Sequence, residues 1–351
     1  MPSRSPTSRD VARLAAVSRT TVSYVLNNSD SGIAISEATR QRVLDAARDL
    51  GYHPNAAARS LRRQKAGVVG LVTYDTSNRM RANAFMWLVM DGVMSELGGA
   101  GMKLIVETAG ASGPDPCVSL VRGGHVDGLV VTGARPTDTE LRVLHAEGTP
   151  IVLWGRLSGS DLPFVDIDNA AAAQLAIDHL LDLGHDRIGC ITNAPPLTDT
   201  AAADRLRGYR TALEARGIRI DESLIRHASF DERSGLQAMR SLLDHKDRPS
   251  AVFVASDEVA LGALKAARQS GVQVPHELSI VGFDDLPIAQ YVEPALTTVR
   301  VPAREIGVVA ARALIDAVSH PNGSGRRKPS TILATELVIR GSTGRPRSAS
   351  A

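Results

Sequence analysis

Residues 8–27 read SRDVARLAAVSRTTVSYVLN, which is the pattern of two short helices separated by a tight turn. Apolar side chains recur at spacings of three and four in each half, and Ser8 and Ser18 are candidate N-caps. Residues 16–18 form the turn between the two helices. This arrangement is typical of a helix-turn-helix, although an ordinary three-helix domain with a polar face fits the same spacing.

A third helix and a basic charge complete this N-terminal segment. Ser36 is the candidate N-cap of the third helix, and Gly51 marks its end. Residues 1–65 carry 11 Lys and Arg against 5 Asp and Glu, a net charge of +6, whereas the other 286 residues carry 29 against 33, a net charge of −4. A basic head on a mildly acidic body favours a polyanionic partner, although a solvated basic face is the alternative. We interpret residues 1–53 as a DNA-binding domain.

The second helix presents the polar side chains that would read DNA. Val22, Val25 and Leu26 are expected to face the small core, which directs the remaining positions outward. Arginine can pair bidentately with guanine, and threonine can contact the thymine methyl group. The candidates are Arg19, Thr20 and Tyr24 for the bases, and Ser18, Thr21 and Ser23 for phosphate oxygens.

After Gly67 the sequence changes to short β-branched runs that alternate with helical stretches. The apolar runs are Val68–Val72, Lys103–Val106, Gly128–Val131, Pro150–Leu153, Arg187–Ile191, Ala251–Val254 and Ser279–Phe283. Continuous apolar strands between amphipathic helices predict parallel sheets that are covered on both faces. We therefore predict an α/β body of two doubly wound subdomains. The Ser-, Arg- and Gly-rich end, residues 341–351, is predicted to be a disordered tail.

Several classes of protein are excluded or disfavoured. The chain has no run of 18 apolar residues and no apolar stretch near its start, so we expect no membrane span or signal peptide and a cytoplasmic location. Cys117 and Cys190 are too few for a disulfide framework or a zinc site. No nucleophile elbow, zinc-protease motif, Walker loop or dinucleotide fingerprint is present, so we predict neither an enzyme nor a cofactor.

An ordered series of motifs runs through most of the chain. The head contains Arg9–Ala15, Val17-Ser18, Thr21–Ser23, Val25–Asn27, Ser36–Arg40, Leu50–Tyr52, Pro54-Asn55 and Ala58–Leu61, and the body contains Ser256–Gly262, Val281–Asp285 and Pro294–Val299. This series resembles the LacI/GalR (lac repressor/gal repressor) family of bacterial transcriptional regulators. Two departures stand out: Ala16 replaces the usual glycine of the turn, and the loop over residues 28–35 is longer than usual.

The resemblance implies a hinge helix at residues 54–66, which forms on operator DNA and pairs with its dimer mate in the minor groove. Leu61 falls where the family inserts a leucine between central base pairs, and a linker residue packed on the body is the alternative. Asn27, Asn55 and Arg59 complete the predicted DNA contacts. The resemblance further implies that the body, residues 67–340, has a periplasmic-binding-protein-like fold. We divide it into an N-lobe at about 67–168 and 276–302 and a C-lobe at about 169–275 and 303–340.

The resemblance also implies a small-molecule effector, of which a sugar is the expected class, in the cleft between the lobes. Six residues match ligand-binding positions or stand at the cleft edge: Phe85, Arg156, Asp168, Arg205, Phe230 and Asp257. Asp257 and Arg205 could instead pair with each other, and Phe230 could be plain core. Asp284 and Asp285 match the family but are assigned to the strand end and lobe crossing.

The implied protein is a repressor that binds a pseudo-palindromic operator as a homodimer, with an effector altering the pairing of the hinge helices. The partners are double-stranded operator DNA, the effector and a second copy, and the tail lacks the leucine heptads that would add a tetramer contact. The alternative for the body alone is a solute-binding protein without a regulatory role. The missing signal peptide and the DNA-reading head disfavour it.

Overall fold

The chain divides into two compact units, a head at Met1–Ala66 and a body at Gly67–Ala351. The structure is a computed structural model, and it describes residues 6–27, 35–53, 65–74, 84–109, 115–135, 137–157, 159–195, 200–320 and 330–347. Within these ranges, none of the helices combines the length and the apolar character that a bilayer span requires.

The described head contains α1 (Ser8–Leu14), α2 (Arg19–Asn27) and α3 (Glu37–Asp49). Thr7, rather than the predicted Ser8, is the N-cap of α1, because a capping box joins it to Asp10. The backbone N–H of Thr7 donates to Asp10 Oδ2 over 2.9 Å, which ties the first turn together from both ends.

The other two caps agree with the sequence prediction. Ser18 Oγ accepts from the backbone N–H of Thr21 at 3.0 Å, and Ser36 Oγ accepts from that of Thr39 at 3.3 Å. The caps start α2 and α3 so that their apolar faces meet α1 in one small core. The buried residues are Val11, Ala12, Ala15, Val22, Val25, Val43, Ala46 and Ala47.

Ala16 occupies the left-handed region, with φ at 53°, in the turn between α1 and α2. A Cβ atom at such a position costs on the order of 1 kcal/mol. We expect Ala16→Gly to raise the stability of the head by about 0.5–1 kcal/mol, measured by hydrogen exchange of the amides of α1 and α2. Ala38→Gly makes the same change at an exposed helical position and should lower stability by about 0.5–1 kcal/mol. Equal losses from both variants would contradict the strain at Ala16.

The body alternates strands and helices throughout. In chain order the described elements are β1 (Val68–Thr73), α4 (Ala84–Gly99), β2 (Lys103–Thr108), α5 (Pro116–Arg122), β3 (Gly128–Thr132), α6 (Thr139–Ala146), β4 (Ile151–Trp154), β5 (Phe164–Ile167), α7 (Asn169–Asp182), β6 (Ile188–Thr192), α8 (Thr200–Ala215), β7 (Ile225–His227), α9 (Glu232–Leu243), β8 (Ala251–Val254), α10 (Asp257–Gln269), β9 (Ser279–Asp284), β10 (Thr297–Arg300), α11 (Ala303–Ser319), β11 (Thr331–Leu333) and β12 (Glu336–Val338).

These strands form two sheets of six, which define two lobes. The N-lobe sheet has the order β11-β5-β4-β3-β1-β2, and the C-lobe sheet has the order β12-β10-β9-β8-β6-β7. The described pairs are parallel apart from β10 with β12, which is antiparallel. In the C-lobe sheet, β6, β8 and β9 are buried along their whole length, as a doubly wound sheet with helices on both faces requires.

The predicted division of the lobes is wrong in its second half. β9 and β10, expected in the N-lobe, belong to the C-lobe sheet, because β9 pairs in parallel register with β8 from Ala251 opposite Ser279. α11, expected in the C-lobe, packs on α4 and on β3, β4 and β5 of the N-lobe. β11 also joins the N-lobe sheet beside β5. Among the described residues the chain therefore crosses between lobes after β5, after β10 and after β11.

The predicted disorder of the tail is also wrong for residues 341–347. Ser342 is fully buried: its Oγ donates to the carbonyl of Ile280 at 2.6 Å and accepts from the N–H of Thr297 at 2.8 Å. The backbone carbonyl of Gly344 lies 2.8 Å from Nε2 of the buried His185. Hydroxyl and backbone groups that would favour solvent in isolation are thus paired with the C-lobe strands. Residues 348–351 lie outside the described ranges.

Candidate DNA-binding surface and effector cleft

The polar side chains of α2 keep the exposure that DNA reading needs. Ser18, Arg19 and Thr20 are exposed, whereas Thr21, Ser23 and Tyr24 are half-buried. The hydroxyls of Ser18 and Thr21 lie 2.9 Å apart and take part in the cap, so both atoms are held in place at the helix start. Asn27 ends α2. The predicted contacts Asn55, Arg59 and Leu61 lie outside the described residues.

A cleft of about 510 Å³ separates the carboxyl ends of the two sheets of the body. Its N-lobe wall includes Trp154 and Asp166 at the ends of β4 and β5, and its C-lobe wall includes Asn193 and Asp284 at the ends of β6 and β9. Ligands of open parallel sheets bind at this edge, where polar side chains follow apolar strands. The volume is within the roughly 300–1,000 Å³ that is typical of small-molecule sites.

Aromatic rings contribute to both walls of the cleft. The rings of Phe85 and Trp154 stack with centroids 5.8 Å apart and an interplanar angle of 26°. Phe230 lies on the opposite lobe, with a left-handed φ of 57°, and its N–H donates to the carbonyl of Asn193 at 2.8 Å. Such faces suit flat or C–H-rich ligand surfaces.

Arg205 organises the C-lobe wall and is only 9% exposed. Its Nε donates to Asn169 Oδ1 at 2.9 Å, and its Nη1 donates to the carbonyl of Ala255 at 2.5 Å. Its guanidinium carbon lies 3.8 Å from the ring centroid of Phe283, and Nη2 lies 3.9 Å from Asp284 Oδ1. This fork is therefore fixed by contacts on several sides and cannot rotate freely.

The N-lobe wall carries a second polar network. Arg156 Nε lies 3.3 Å from Asp166 Oδ2, and Nη2 lies 3.8 Å from Asp204 Oδ2. Asp166 Oδ1 accepts from the N–H of Ile167 and from Nδ2 of Asn169. Burial raises the pKa of Asp166, against the opposing effects of the Ile167 N–H and of Arg156. Asn169 thus joins the networks of Asp166 and Arg205.

Two carboxyl groups of the cleft have pKa values near neutrality. Burial raises the pKa of Asp284 to about 7, although Arg205 opposes the shift. Burial also raises the pKa of Glu258 to about 7. Glu258 Oε1 accepts from the N–H of Ala84, the first residue of α4, over 2.5 Å. A C-lobe side chain therefore caps an N-lobe helix across the cleft.

Comparison with known proteins agrees with this architecture. A family model described as bacterial regulatory proteins, lacI family, matches residues 7–55, and one described as a periplasmic binding protein-like domain matches residues 177–343. The HTH-type transcriptional regulator CelR of Thermobifida fusca is 37% identical over 342 residues, which cover 96% of this chain and 98% of CelR. The chain belongs to the LacI family of bacterial regulatory proteins.

Other members of the LacI family show comparable similarity. The HTH-type transcriptional repressor CytR of Escherichia coli K12 is 36% identical over 96% of each chain. The structure of the CelR–cellobiose complex aligns with a TM-score of 0.72 at 36% identity, covering 96% of this chain and 99% of CelR. The lac repressor dimer bound to operator and the anti-inducer ONPF aligns with a TM-score of 0.84 at 27% identity, covering 97% and 100%.

Membership of the LacI family confirms the predicted family and fold class. The protein is a DNA-binding transcriptional regulator and not an enzyme. Its head is the family's helix-turn-helix domain, and its body has the two-lobed, periplasmic-binding-protein-like architecture.

Four of the six predicted effector residues line the cleft of this LacI-family protein: Phe85, Arg156, Arg205 and Phe230. The structure does not bring Asp257 there. Asp257 is fully buried behind the wall, where its carboxylate accepts from Thr298 Oγ1 at 2.7 Å and from the N–H of Leu286 at 2.8 Å. The alternative pairing of Asp257 with Arg205 is likewise not made, because the carboxylate beside Arg205 is that of Asp284.

Asp168 is also placed differently from the prediction. Its exposed side chain is the N-cap of α7, where Oδ1 accepts from the N–H of Ala171 at 3.0 Å. Sequence reasoning missed Asp166, Asn169 and Asn193, and it assigned Asp284 only to the strand end. The signal that could have found them is their shared place directly at or after the end of a buried strand.

Glu258 gives the body a pH dependence that can be isolated. A carboxyl whose folded pKa is raised stabilises the fold fully below its ordinary pKa of 4.5, and that contribution is lost as the pH rises to about 7. From Glu258 alone we expect a loss of about 1–3 kcal/mol across this range. Glu258→Gln keeps an acceptor for Ala84 but cannot ionise. The free energy of unfolding, measured with urea at pH 4.5 and 7.5, should fall more in the natural chain than in the variant, and the difference should be about 1–3 kcal/mol. An equal fall in the two proteins would contradict the prediction.

Proposed function

We propose that this LacI-family regulator is a repressor that binds a pseudo-palindromic operator as a homodimer, and that a small sugar in the cleft controls its affinity for DNA. The observation that best supports this proposal is the cleft, which has stacked aromatic rings on one lobe and fixed polar groups on the other. A ligand that touches both lobes stabilises their closed arrangement. CelR, a relative at 37% identity, has been solved with cellobiose.

The proposed contacts follow the geometry of the cleft rather than the first sequence assignment. Phe85 and Phe230 provide ring faces, and Arg156 and Arg205 provide cationic donors. Asp284 takes the carboxylate role that the sequence gave to Asp257, because Asp284 lines the cleft. In this proposal, closure of the lobes is coupled to operator affinity through the segment that joins head and body, residues 54–66.

The assembly and location belong to the same proposal. One helix-turn-helix reads one half-site, so a two-fold symmetric operator requires two heads. The lac repressor to which this chain is similar was solved as a dimer on its operator. We place the protein in the bacterial cytoplasm, at the nucleoid, where operator DNA is found.

A gel-shift and a thermal-shift experiment together test the proposal. The full chain is assayed on a duplex selected from randomised DNA, with and without cellobiose, ribose or other neutral sugars. One sugar should raise the melting temperature of the body and change operator affinity by about 5- to 150-fold. A sugar that raises the melting temperature but leaves operator affinity unchanged would contradict its effector role.

Arg19 gives a separate prediction for the head. Because Arg19 is exposed at the start of α2, we expect Arg19→Ala to relax base preference at one position in each half-site, at a cost of about 1–3 kcal/mol. Competition gel-shifts with single-base operator variants measure this effect. The thermal shift with sugar should be unchanged, which is the control. An equal loss of affinity for all sequences would make Arg19 a phosphate contact instead.

A further inference from the structure

Asn193 follows β6 on the C-lobe wall of the cleft, and its side-chain oxygen is left without a partner among the described residues. The residue is 2% exposed and lines the cleft. Its backbone carbonyl is occupied by the N–H of Phe230. Its side-chain oxygen, Oδ1, is buried, and no donor in the described part of the chain reaches it. Buried amide oxygens are nearly always paired, so this atom points to a missing donor.

Among the described residues, the donors closest to Asn193 in the sequence or on the same wall are directed to other groups. The hydroxyl of Thr192, the preceding residue, donates to the carbonyl of Ala194 over 2.8 Å. The guanidinium of Arg205 is held by Asn169, Ala255 and Asp284, and none of its N–H groups reaches Asn193 Oδ1. The nearby N–H of Phe230 serves the backbone carbonyl of Asn193 itself. Because Asn193 lines the cleft, a ligand bound there is the donor that we consider for Oδ1.

We propose that Asn193 is an effector-specificity residue whose side-chain amide binds a hydroxyl group of a neutral sugar. The inference rests on the sugar-binding function proposed above. A hydroxyl can donate to Oδ1, and an adjacent hydroxyl can accept from Nδ2, so the amide matches a pair of neighbouring hydroxyls. A phosphate or carboxylate group, when ionised, has only acceptors and would leave Oδ1 unpaired.

The charges of the cleft support a neutral ligand over an anionic one. Three arginines line the described cleft, and each one lies beside a carboxylate: Arg156 beside Asp166, Arg205 beside Asp284 and Arg207 beside Asp204. Glu258 adds a fourth acidic side chain to the lining. Each arginine is therefore already paired, and an anion in the cleft would face four acidic side chains against three arginines. Carboxyl oxygens have lone pairs beyond those used within the wall, and the hydroxyl groups of a neutral ligand can donate to them.

The test compares Asn193→Leu with the natural chain by calorimetric titration. The probes are the neutral sugar with the largest thermal shift among cellobiose, ribose and glucose, its monodeoxy analogues and its phosphorylated form. We expect Asn193→Leu to weaken binding of the sugar by about 10- to 100-fold. One deoxy analogue should bind the natural chain more weakly than the full sugar by a similar factor. On Asn193→Leu, the same analogue and the full sugar should bind with almost equal affinity. The phosphorylated form should bind the natural chain at least tenfold more weakly than the sugar.

Melting of the sugar-free protein separates this role from a structural one. An apolar side chain of similar size removes the unpaired amide, so Asn193→Leu should melt at the same temperature as the natural chain or higher. Gln237→Leu makes the same amide-to-leucine change at an exposed position of α9 and is the control for sugar affinity. A lower melting temperature with unchanged sugar affinity would overturn the inference alone. The absence of binding to any sugar, with operator binding intact, would overturn the proposed sugar effector as well.

Discussion

Replacing Arg205 by methionine should lower the free energy of unfolding of the body by about 3–5 kcal/mol and remove the effector response. The guanidinium is the buried hub that joins Asn169, the carbonyl of Ala255 and Asp284. Methionine fills much of the volume but donates no hydrogen bond. The variant would therefore leave a buried carboxyl and two acceptors without their partner, and such uncompensated groups are costly.

Urea unfolding followed by circular dichroism measures this loss. Arg207→Met is the matched control for stability, because Arg207 is two residues away on α8 and pairs with Asp204 at the rim of the cleft, where its side chain is 61% exposed. We expect the control to cost less than about 1 kcal/mol. Equal losses from the two variants would show that Arg205 is not the organising residue of the C-lobe wall.

Ending the chain after Arg340 is expected to cost a further large fraction of the body's stability, about 3–5 kcal/mol. The truncation removes Ser342, whose backbone and side chain pair with the N–H and carbonyl of Ile280 and with the N–H of Thr297. It also removes the carbonyl that lies beside His185. These groups lie in the C-lobe core, where water replaces lost partners poorly.

A chain that ends at Arg347 retains all of these hydrogen bonds and is the control for the truncation. Thermal unfolding should distinguish the two lengths, and Ser342→Ala should lie between them with a loss of about 1–2 kcal/mol. If all three proteins melt together, residues 341–347 contribute nothing to the C-lobe, and the sequence prediction of a disordered tail would be restored.

The sequence predicted local structure and the identity of the family, because these depend on spacing and on ordered motifs. The caps at Ser18 and Ser36 and the buried strand runs follow from patterns within a few residues. The assignment of strands to the two lobes does not follow from such local patterns. The apolar sequence of β9 would fit either sheet, and its parallel pairing with β8, with Ala251 opposite Ser279, is what assigns it to the C-lobe.

The candidate site was predictable in part for a related reason. Asp257 and Asp284 are both acidic residues near the end of a buried strand, but Asp284 lines the cleft whereas the carboxylate of Asp257 is turned to Thr298 and Leu286. The left-handed φ of 114° at Asp284 helps to set that difference. No pattern in the sequence encodes this backbone conformation at a non-glycine residue. The ordered structure of residues 341–347 was missed because amino-acid composition does not show which groups of the C-lobe these residues will hydrogen-bond.

The interleaving of the two lobes has a consequence for how the protein is made. The ribosome releases the chain from its N-terminus, yet the N-lobe needs α11 for the face of α4 and β11 for the edge of β5. Neither lobe can finish folding until nearly all of the chain has emerged, since the C-lobe also waits for β12 and Ser342. A nascent chain that stalls before Ala303 exposes the apolar side of α4, which makes chaperone capture or proteolysis its expected fate.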